Sequence, residues 1–193
     1  MKILNSRLIG PTAKYSDAYL FVMLYTLDRD GRSSRKGLME ATGLGEGSVR
    51  SMIRVLKEWK WVEVRQSGVF LTDIGRSNLK DFKIRFVGVK SITYGTGACQ
   101  QGVVVEDMAD NVTNGMKERD MAIRCGAIEA SVFIMRNGVI IFPDSWNVDE
   151  KDPEFALRLR AEGMKENDLL ILVGSETEAS ARIIAASVAL AMR

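Results

Sequence analysis

The spacing of apolar residues changes at Trp61, and this change restricts the fold more than any other feature of the sequence. From Tyr15 to Leu56, apolar positions recur every three or four residues in three stretches, which is typical of amphipathic helices. After Trp61, residues 62–66 alternate between apolar and polar side chains, and residues 69–71 form a second strand-like run. This order predicts three helices followed by a β-hairpin.

Short polar segments mark where these elements begin and end. Ser16 and Ser34 precede the first two helical stretches, and Thr72 precedes a further one, as N-cap residues do. Residues 43–47, Gly-Leu-Gly-Glu-Gly, predict a tight turn between the second and third helices. Residues 67–68, Ser-Gly, predict the two-residue turn of the hairpin. A closing helix is expected after the hairpin.

The third predicted helix carries positive charge on the side that its apolar stripe leaves free. That side has three cations and no acidic residue before Glu58. Such a helix suits the major groove of DNA, because arginine offers two donors that match guanine, while serine and lysine bind phosphates. A solvated basic helix face is the alternative. The positions concerned are Ser48, Arg50, Ser51, Arg54 and Lys57.

The turn, the third helix, the hairpin and the start of the closing helix follow one another within residues 42–75, TGLGEGSVRSMIRVLKEWKWVEVRQSGVFLTDIG. The pattern resembles the winged helix-turn-helix domains of prokaryotic transcription factors, and the resemblance extends over residues 12–80. It implies that the third helix enters the major groove and that the hairpin, or wing, contacts the backbone or the minor groove. The residues thereby assigned to the groove are Ser48, Arg50, Ser51 and Arg54, and those assigned to the wing tip are Arg65, Gln66 and Ser67.

Charge is distributed unevenly along the chain. Residues 1–80 contain 14 Lys or Arg and 8 Asp or Glu, a net charge of +6, whereas residues 81–193 contain 13 and 17, a net charge of −4. A basic segment attracts a polyanion and an acidic segment repels it. We therefore expect two domains, 1–80 and 81–193, of which only the first binds double-stranded DNA.

The second domain is predicted to be a mixed α/β domain with about five strands, so that the whole chain belongs to the α+β class. An Asn-Gly pair at residues 137–138 is a strong signal for a hairpin turn. The predicted strands are 82–92, 101–105, 131–135, 139–142 and 169–173, and the predicted helices are 112–125, 153–162 and 176–192.

Two places in this domain are candidate sites for a small anionic effector. Gly174 and Ser175 lie between a buried strand and the last helix, where free backbone N–H groups can hold an anion. Arg119 and Asp120 lie in the predicted helix 112–125, where a guanidinium can bind a carboxylate or phosphate with two donors. The alternatives are a turn that binds nothing and a solvent-facing ion pair.

Two of the predicted helices have apolar faces that bear on packing and assembly. The last helix, 176–192, is rich in alanine, which allows close approach to a sheet or to a twin helix. Packing in the core is the expected role, and a homodimer seam is the alternative. In the helix 112–125, the residues expected to face the core are Met116, Met121, Ala122 and Ile123.

Two segments of the second domain extend the resemblance along the chain. They are GMKERDMAIRCGA at residues 115–127 and NGVIIFP at residues 137–143. Together with the N-terminal elements, they are similar to a group of archaeal winged-helix proteins whose C-terminal domain has no assigned function. The resemblance implies an architecture and a regulatory role, and it names no ligand.

The composition removes several kinds of catalysis. The chain has no histidine, so Ser-His-Asp chemistry, Cys-His chemistry and imidazole ligands are excluded. Cys99 and Cys125 lack the spacing of a zinc or redox motif. We therefore expect that the protein is not an enzyme and that it has no catalytic residue, cofactor or metal. The alternative is a metal-dependent enzyme that uses the carboxylates of Asp107, Asp110 and Asp120.

The expected function combines these features. No apolar run approaches the ~18 residues of a membrane span, and no secretory signal follows Met1. We expect a cytoplasmic, homodimeric, DNA-binding transcriptional regulator with no membrane partner. Its second domain is expected to sense a small anionic effector, to dimerise, or both. A winged helix that binds protein, and the enzyme described above, are the alternatives.

Overall fold

The computed structural model describes residues 15–143 and 146–193. The chain divides into two compact units, of which the first ends at Phe82 and the second begins at Lys83. The residues that follow Met1, on which the prediction about a secretory signal depends, lie outside the described ranges. Among the described helices, none combines the length and the apolar character that spanning a bilayer requires.

The first unit consists of helices and one two-stranded antiparallel sheet. Ser34 caps the second helix by accepting a hydrogen bond from the backbone N–H of Gly37 at 3.1 Å, and Thr72 caps the fourth in the same way from Gly75 at 3.0 Å. Both caps were predicted. The elements are α1 (Asp17–Asp30), α2 (Arg35–Thr42), α3 (Glu46–Glu58), β1 (Val62–Arg65), β2 (Gly68–Leu71) and α4 (Asp73–Asp81).

Both turns of this unit differ from the prediction. The turn after α2 is shorter, because Glu46 already belongs to α3. The hairpin turn consists of Gln66 and Ser67, since Gly68 pairs with Arg65 at the start of β2. Gly68 is required for another reason: a Cβ on it would lie 2.8 Å from the carbonyl oxygen of Ser33.

The core of the first unit forms around α1, eight of whose fourteen residues are buried. Phe21 packs edge-to-face against Phe82, with ring centroids 5.8 Å apart. Phe82 was predicted to open a strand, but it follows α4 as its C-terminal cap residue. The prediction failed because an apolar residue at alternate spacing before Ile84 fits a strand and a helix end equally well.

The second unit contains one antiparallel sheet and four helices besides a 3₁₀ turn at Ala109–Asn111 within its described part. The strand order is β3-β4-β8-β5-β6-β7. The elements are β3 (Ile84–Val87), β4 (Cys99–Val105), α5 (Met116–Arg124), β5 (Glu129–Arg136), β6 (Val139–Phe142), β7 (Trp146–Asn147), α6 (Val148–Lys151), α7 (Pro153–Ala161), β8 (Leu169–Ser175) and α8 (Glu178–Ala191).

Helices cover both faces of this sheet, and alternate residues of a strand point to opposite faces. Leu170 and Leu172 pack in a core with α6 and α7. On the other face, α8 packs on β4 and β8, and α5 packs on β5. The whole of β8 is therefore buried, which explains its continuous apolar sequence. The chain belongs to the α+β class, with two antiparallel sheets.

The predicted hairpin around residues 137–138 is confirmed, with Arg136 paired to Val139. Asn137 and Gly138 have positive φ angles of 54° and 74°, which is the conformation that an Asn-Gly turn favours. The short strand β7 was not predicted, because a two-residue strand carries no periodicity to detect.

The predicted inward face of α5 is wrong in two positions. Met116 and Ile123 are 56% and 41% exposed, while Glu118 is only 3% exposed. The helix begins at Met116 rather than at Val112, directly after Gly115 in the left-handed region, and this start sets which residues face β5. Ala122 is buried as expected.

Candidate nucleic-acid interface

The outward face of α3 is a stripe of three cations. Arg50, Arg54 and Lys57 are exposed and follow one another at helical spacing. The opposite face anchors the helix in the core of the first unit, so the direction of the stripe is determined by packing. The buried residues of that face are Val49, Met52, Ile53, Val55 and Leu56.

The three cations differ in their availability. Arg50 Nη2 lies 2.5 Å from Glu46 Oε1, one helical turn away, so its charge is already paired. Arg54 and Lys57 form no ion pair with any residue that the structure describes. These two side chains are therefore the members of the stripe that can bind an external anion without first breaking a contact.

The two serines predicted to face the groove do not belong to this stripe. Ser48 and Ser51 are half-buried at the border between the exposed and the buried face. The Oγ of Ser51 lies 3.3 Å from the hydroxyl oxygen of Tyr15. Ser51 thus contacts a residue before α1. Sequence spacing could not predict this contact, because it joins residues 36 positions apart.

The hairpin tip presents polar side chains. Gln66 and Ser67 are exposed in the turn, as required for the predicted contact with DNA. Arg65 is also exposed, but it pairs with Glu63 and lies over the ring of Phe70 at 4.9 Å. Its position is therefore determined by neighbours on the hairpin itself.

Two further cations lie next to the hairpin and were not predicted. The backbone of Ser33 pairs with that of Val69, which places Arg32 and Arg35 beside β2. Both arginines are exposed and form no ion pair within the described part of the chain. Their charge was visible in the sequence, but their location depends on a pairing between residues that lie far apart in the chain.

The residues predicted to bind an effector are not brought together as one site. Gly174 and Ser175 belong to β8, and Gly174 is paired with Gln100 on one side and with Glu129 on the other. A strand paired on both sides offers few free backbone N–H groups, so the predicted anion loop is absent from this part of the described structure. The prediction assumed that the strand ends at Val173.

Arg119 and Asp120 lie on a different element from this strand. Both are exposed on α5, and neither makes an ion pair or hydrogen bond with a described residue through its side chain. The solvent-facing ion pair that was the alternative interpretation is therefore absent among the described residues.

The three aspartates of the metal-dependent enzyme alternative do not come together as one site. Asp107 accepts a hydrogen bond from Lys83 at 2.8 Å, which lowers the pKa of its carboxyl group, and Asp110 lies 3.4 Å from Arg136. Asp120 is on α5. Within residues 15–143 and 146–193, no cluster of three or more Cys, Asp or Glu side chains could hold a metal ion.

Comparisons with known proteins identify a family. The model of a domain of unknown function, DUF4443, matches residues 96–192. A solved structure of a hypothetical protein from Pyrococcus horikoshii has a TM-score of 0.77 at 25% identity, over 93% of each chain. No curated protein matches the sequence. The resemblance to archaeal proteins is thereby supported at the level of the fold and of an unassigned C-terminal domain.

Proposed function

The chain belongs to the DUF4443 family, whose function is unknown, and we propose that it is a DNA-binding transcriptional regulator. In this proposal the first unit is a winged helix-turn-helix. Helices α2 and α3 are the helix-turn-helix, α3 is the recognition helix and the β1–β2 hairpin is the wing.

One observation carries the proposal: Arg54 and Lys57 are exposed on the outward face of α3 and unpaired among the described residues. A recognition helix needs side chains that reach base edges or phosphates without paying to break internal ion pairs. Arg32 and Arg35 add unpaired charge beside the hairpin. The net charge of +6 over residues 1–80 supports a polyanionic partner.

The contacts can be sorted by the information they carry. We assign Arg54 to a base edge, because a guanidinium can bind guanine O6 and N7 with two donors. We assign Lys57, Arg32 and Arg35 to phosphates, which position the protein without reading the sequence. Ser51 is left out, since its hydroxyl contacts Tyr15.

Titration of duplex DNA at several salt concentrations tests the proposal. Lys57→Ala should lower the affinity for all sequences and reduce the slope of log K against log salt by about 1. Lys80→Ala is the matched control, because Lys80 is also exposed in the first unit but lies on α4. Equal effects of the two substitutions would show that only net charge matters, and would contradict a specific α3 interface.

A protein-binding role for the first unit is the second candidate. Val64 on β1 and Ile74 on α4 are the exposed large apolar side chains of the described first unit, at 41% and 52%, and a protein partner would cover them. This candidate predicts that duplex binding is weak and independent of Arg54. It also predicts that Val64→Ser leaves the salt dependence of any residual DNA binding unchanged.

In the same proposal the second unit forms a homodimer and controls DNA affinity. An effector or partner that binds one dimer arrangement better than another shifts the affinity for DNA by that difference. A small anionic effector remains a proposal for the exposed guanidinium of Arg119, and it would compete with any carboxylate that pairs with this side chain.

A further inference from the structure

The aspartate and arginine side chains of the second unit that lack a hydrogen-bond partner among the described residues all lie on α5. Within residues 83–143 and 146–193, the carboxylate of every aspartate except Asp120 accepts a hydrogen bond. In the same ranges every arginine except Arg119 and Arg124 donates one. The three exceptions belong to a single nine-residue helix.

Arg119 and Asp120 share one side of α5 with Met116 and Ile123. Residues at these spacings lie on the same side of a helix, and we call this set of four the α5 face. Met116 and Ile123 are 56% and 41% exposed. The opposite side of α5 packs on β5 and α8. The α5 face therefore combines an unpaired cation, an unpaired anion and two exposed apolar side chains.

We propose that the α5 face binds the α5 face of a second copy of this chain. The order of its residues is symmetric: Arg119 and Asp120 are adjacent at the centre, and Met116 and Ile123 lie three residues before and after them. A two-fold axis between the central residues would place two α5 helices antiparallel. Arg119 would then lie opposite Asp120 of the second copy, and Met116 opposite Ile123.

The charge pattern favours a second copy over other partners. Residues 81–193 carry a net charge of −4, so a polyanion is repelled. Because the face holds one cation beside one anion, it is complementary to itself in the antiparallel arrangement. Each dimer then contains two ion pairs between Arg119 of one copy and Asp120 of the other. The apolar residues flank the pairs and reduce their exposure to water.

The alanine-rich helix α8 is not available for the same role. Its alanines at positions 181, 185, 186 and 189 are buried where α8 packs on β4 and β8. In contrast, three of the five exposed large apolar side chains of the described second unit lie on α5 or directly after it, at Met116, Ile123 and Ile128. Met116 and Ile123 thus add exposed apolar surface to the helix side that carries Arg119 and Asp120, while the other two, Ile92 and Leu157, lie elsewhere.

This inference rests on the homodimer part of the proposed function, and a charge exchange on the full chain tests it. Arg119→Asp places two carboxylates opposite two carboxylates, and Asp120→Arg places two guanidinium groups opposite two others. Each single variant should dimerise about tenfold or more weakly than the wild type. The double variant, and an equimolar mixture of the two single variants, should recover the dimer because opposite charges face each other again.

Sedimentation velocity at matched concentrations measures the result. We expect the wild type, the double variant and the mixture to show twice the chain mass of 21.4 kDa. Lys151→Asp is the control, since Lys151 is exposed on α6, on the opposite face of the sheet from α5, and it should leave the mass unchanged. A monomeric wild type, single variants that dimerise as the wild type does, or a mixture that stays monomeric would overturn the inference.

Salt-dependent duplex titration of the same samples separates the two proposals. If dimerisation fails these tests while duplex binding persists, the inference about α5 is wrong and the DNA-binding proposal is unaffected. If the charge exchange behaves as expected while duplex binding is absent, the α5 interface stands and the DNA-binding role does not.

Discussion

The backbone of Ser33 pairs with that of Val69, with N···O distances of 3.0 and 2.9 Å in the two directions. This bridge joins the segment between α1 and α2 to the second strand of the hairpin. It ties the hairpin to the start of α2 and places the cations that flank Ser33 beside it. The candidate interface thus includes a segment that precedes α3 in the chain.

Replacing Gly68 with alanine should destabilise the first unit. The φ angle of Gly68 is 137°, and an added Cβ would lie 2.8 Å from the carbonyl oxygen of Ser33. We expect a loss of about 1–3 kcal/mol in the free energy of unfolding, measured by urea denaturation.

Gly47→Ala provides the matched control for this substitution. Gly47 lies in α3 with nothing within 4 Å of an added Cβ. Alanine there should raise stability by up to about 1 kcal/mol, because glycine is the poorer helix former. Destabilisation of the same size by both substitutions would contradict the importance of the Ser33 contact.

Replacing Arg54 with alanine should impair sequence recognition more than general affinity. If its guanidinium binds a base edge, the loss is about 1–3 kcal/mol on the preferred site and much smaller on random duplex. Competition titrations with both kinds of DNA measure the difference. A uniform loss on every sequence would reassign Arg54 to a phosphate contact.

Replacing Glu46 with glutamine should strengthen binding to DNA. Glu46 pairs with Arg50 at 2.5 Å, and removing its charge frees the guanidinium and removes a negative charge from the interface. We expect a several-fold gain in affinity at low salt that decreases as salt is raised. Glu40→Gln on α2 is the control, because its partner Lys36 lies outside α3. An unchanged affinity for Glu46→Gln would mean that Arg50 takes no part in binding.

Asp149 should contribute to stability at neutral pH and not in acid. Its hydrogen bond from Arg160 lowers the pKa of the carboxyl group, and the backbone N–H of Ile140 donates to it at 2.8 Å. A lowered pKa in the folded state stabilises the protein above the unfolded value of 3.8, and this contribution disappears as the pH falls through the folded value.

Asp149→Asn isolates this contribution, because the amide oxygen can still accept from Ile140. We expect the variant to be less stable than the wild type at pH 7 by about 1 kcal/mol or less, as for a partly exposed ion pair. The difference should decrease as the pH falls below the unfolded pKa and vanish below the lower pKa of the folded state. Thermal unfolding across a pH series measures it, and a difference that does not change with pH would contradict the ionic origin.

Local signals in the sequence predicted several elements because their causes are local. The caps at Ser34 and Thr72 are formed by hydrogen bonds to residues three positions ahead. The turn at residues 137–138 follows from the positive φ angles that Asn and Gly tolerate. The pairing of Arg50 with Glu46 could also have been predicted from the sequence, since residues four apart on a helix are neighbours.

The misassigned residues have causes that are not local. The inward face of α5 was predicted from apolar side chains, but the start of the helix after Gly115 determines that Glu118 faces the core. Gly174 and Ser175 were interpreted as a loop, but pairing with β4 and β5 extends the strand through them. Neither pairing partner is adjacent in the chain.

By itself, the sequence determined the α+β class, the caps and turns that depend on near neighbours, and the uneven charge of the two halves. These properties follow from intrinsic conformational preferences and from composition, which do not require knowledge of distant contacts. The tertiary structure alone decided which charges are left unpaired. Burial and long-range pairing remove Ser51 from the α3 stripe, bring Arg32 to the hairpin and leave Arg119 and Asp120 exposed on α5.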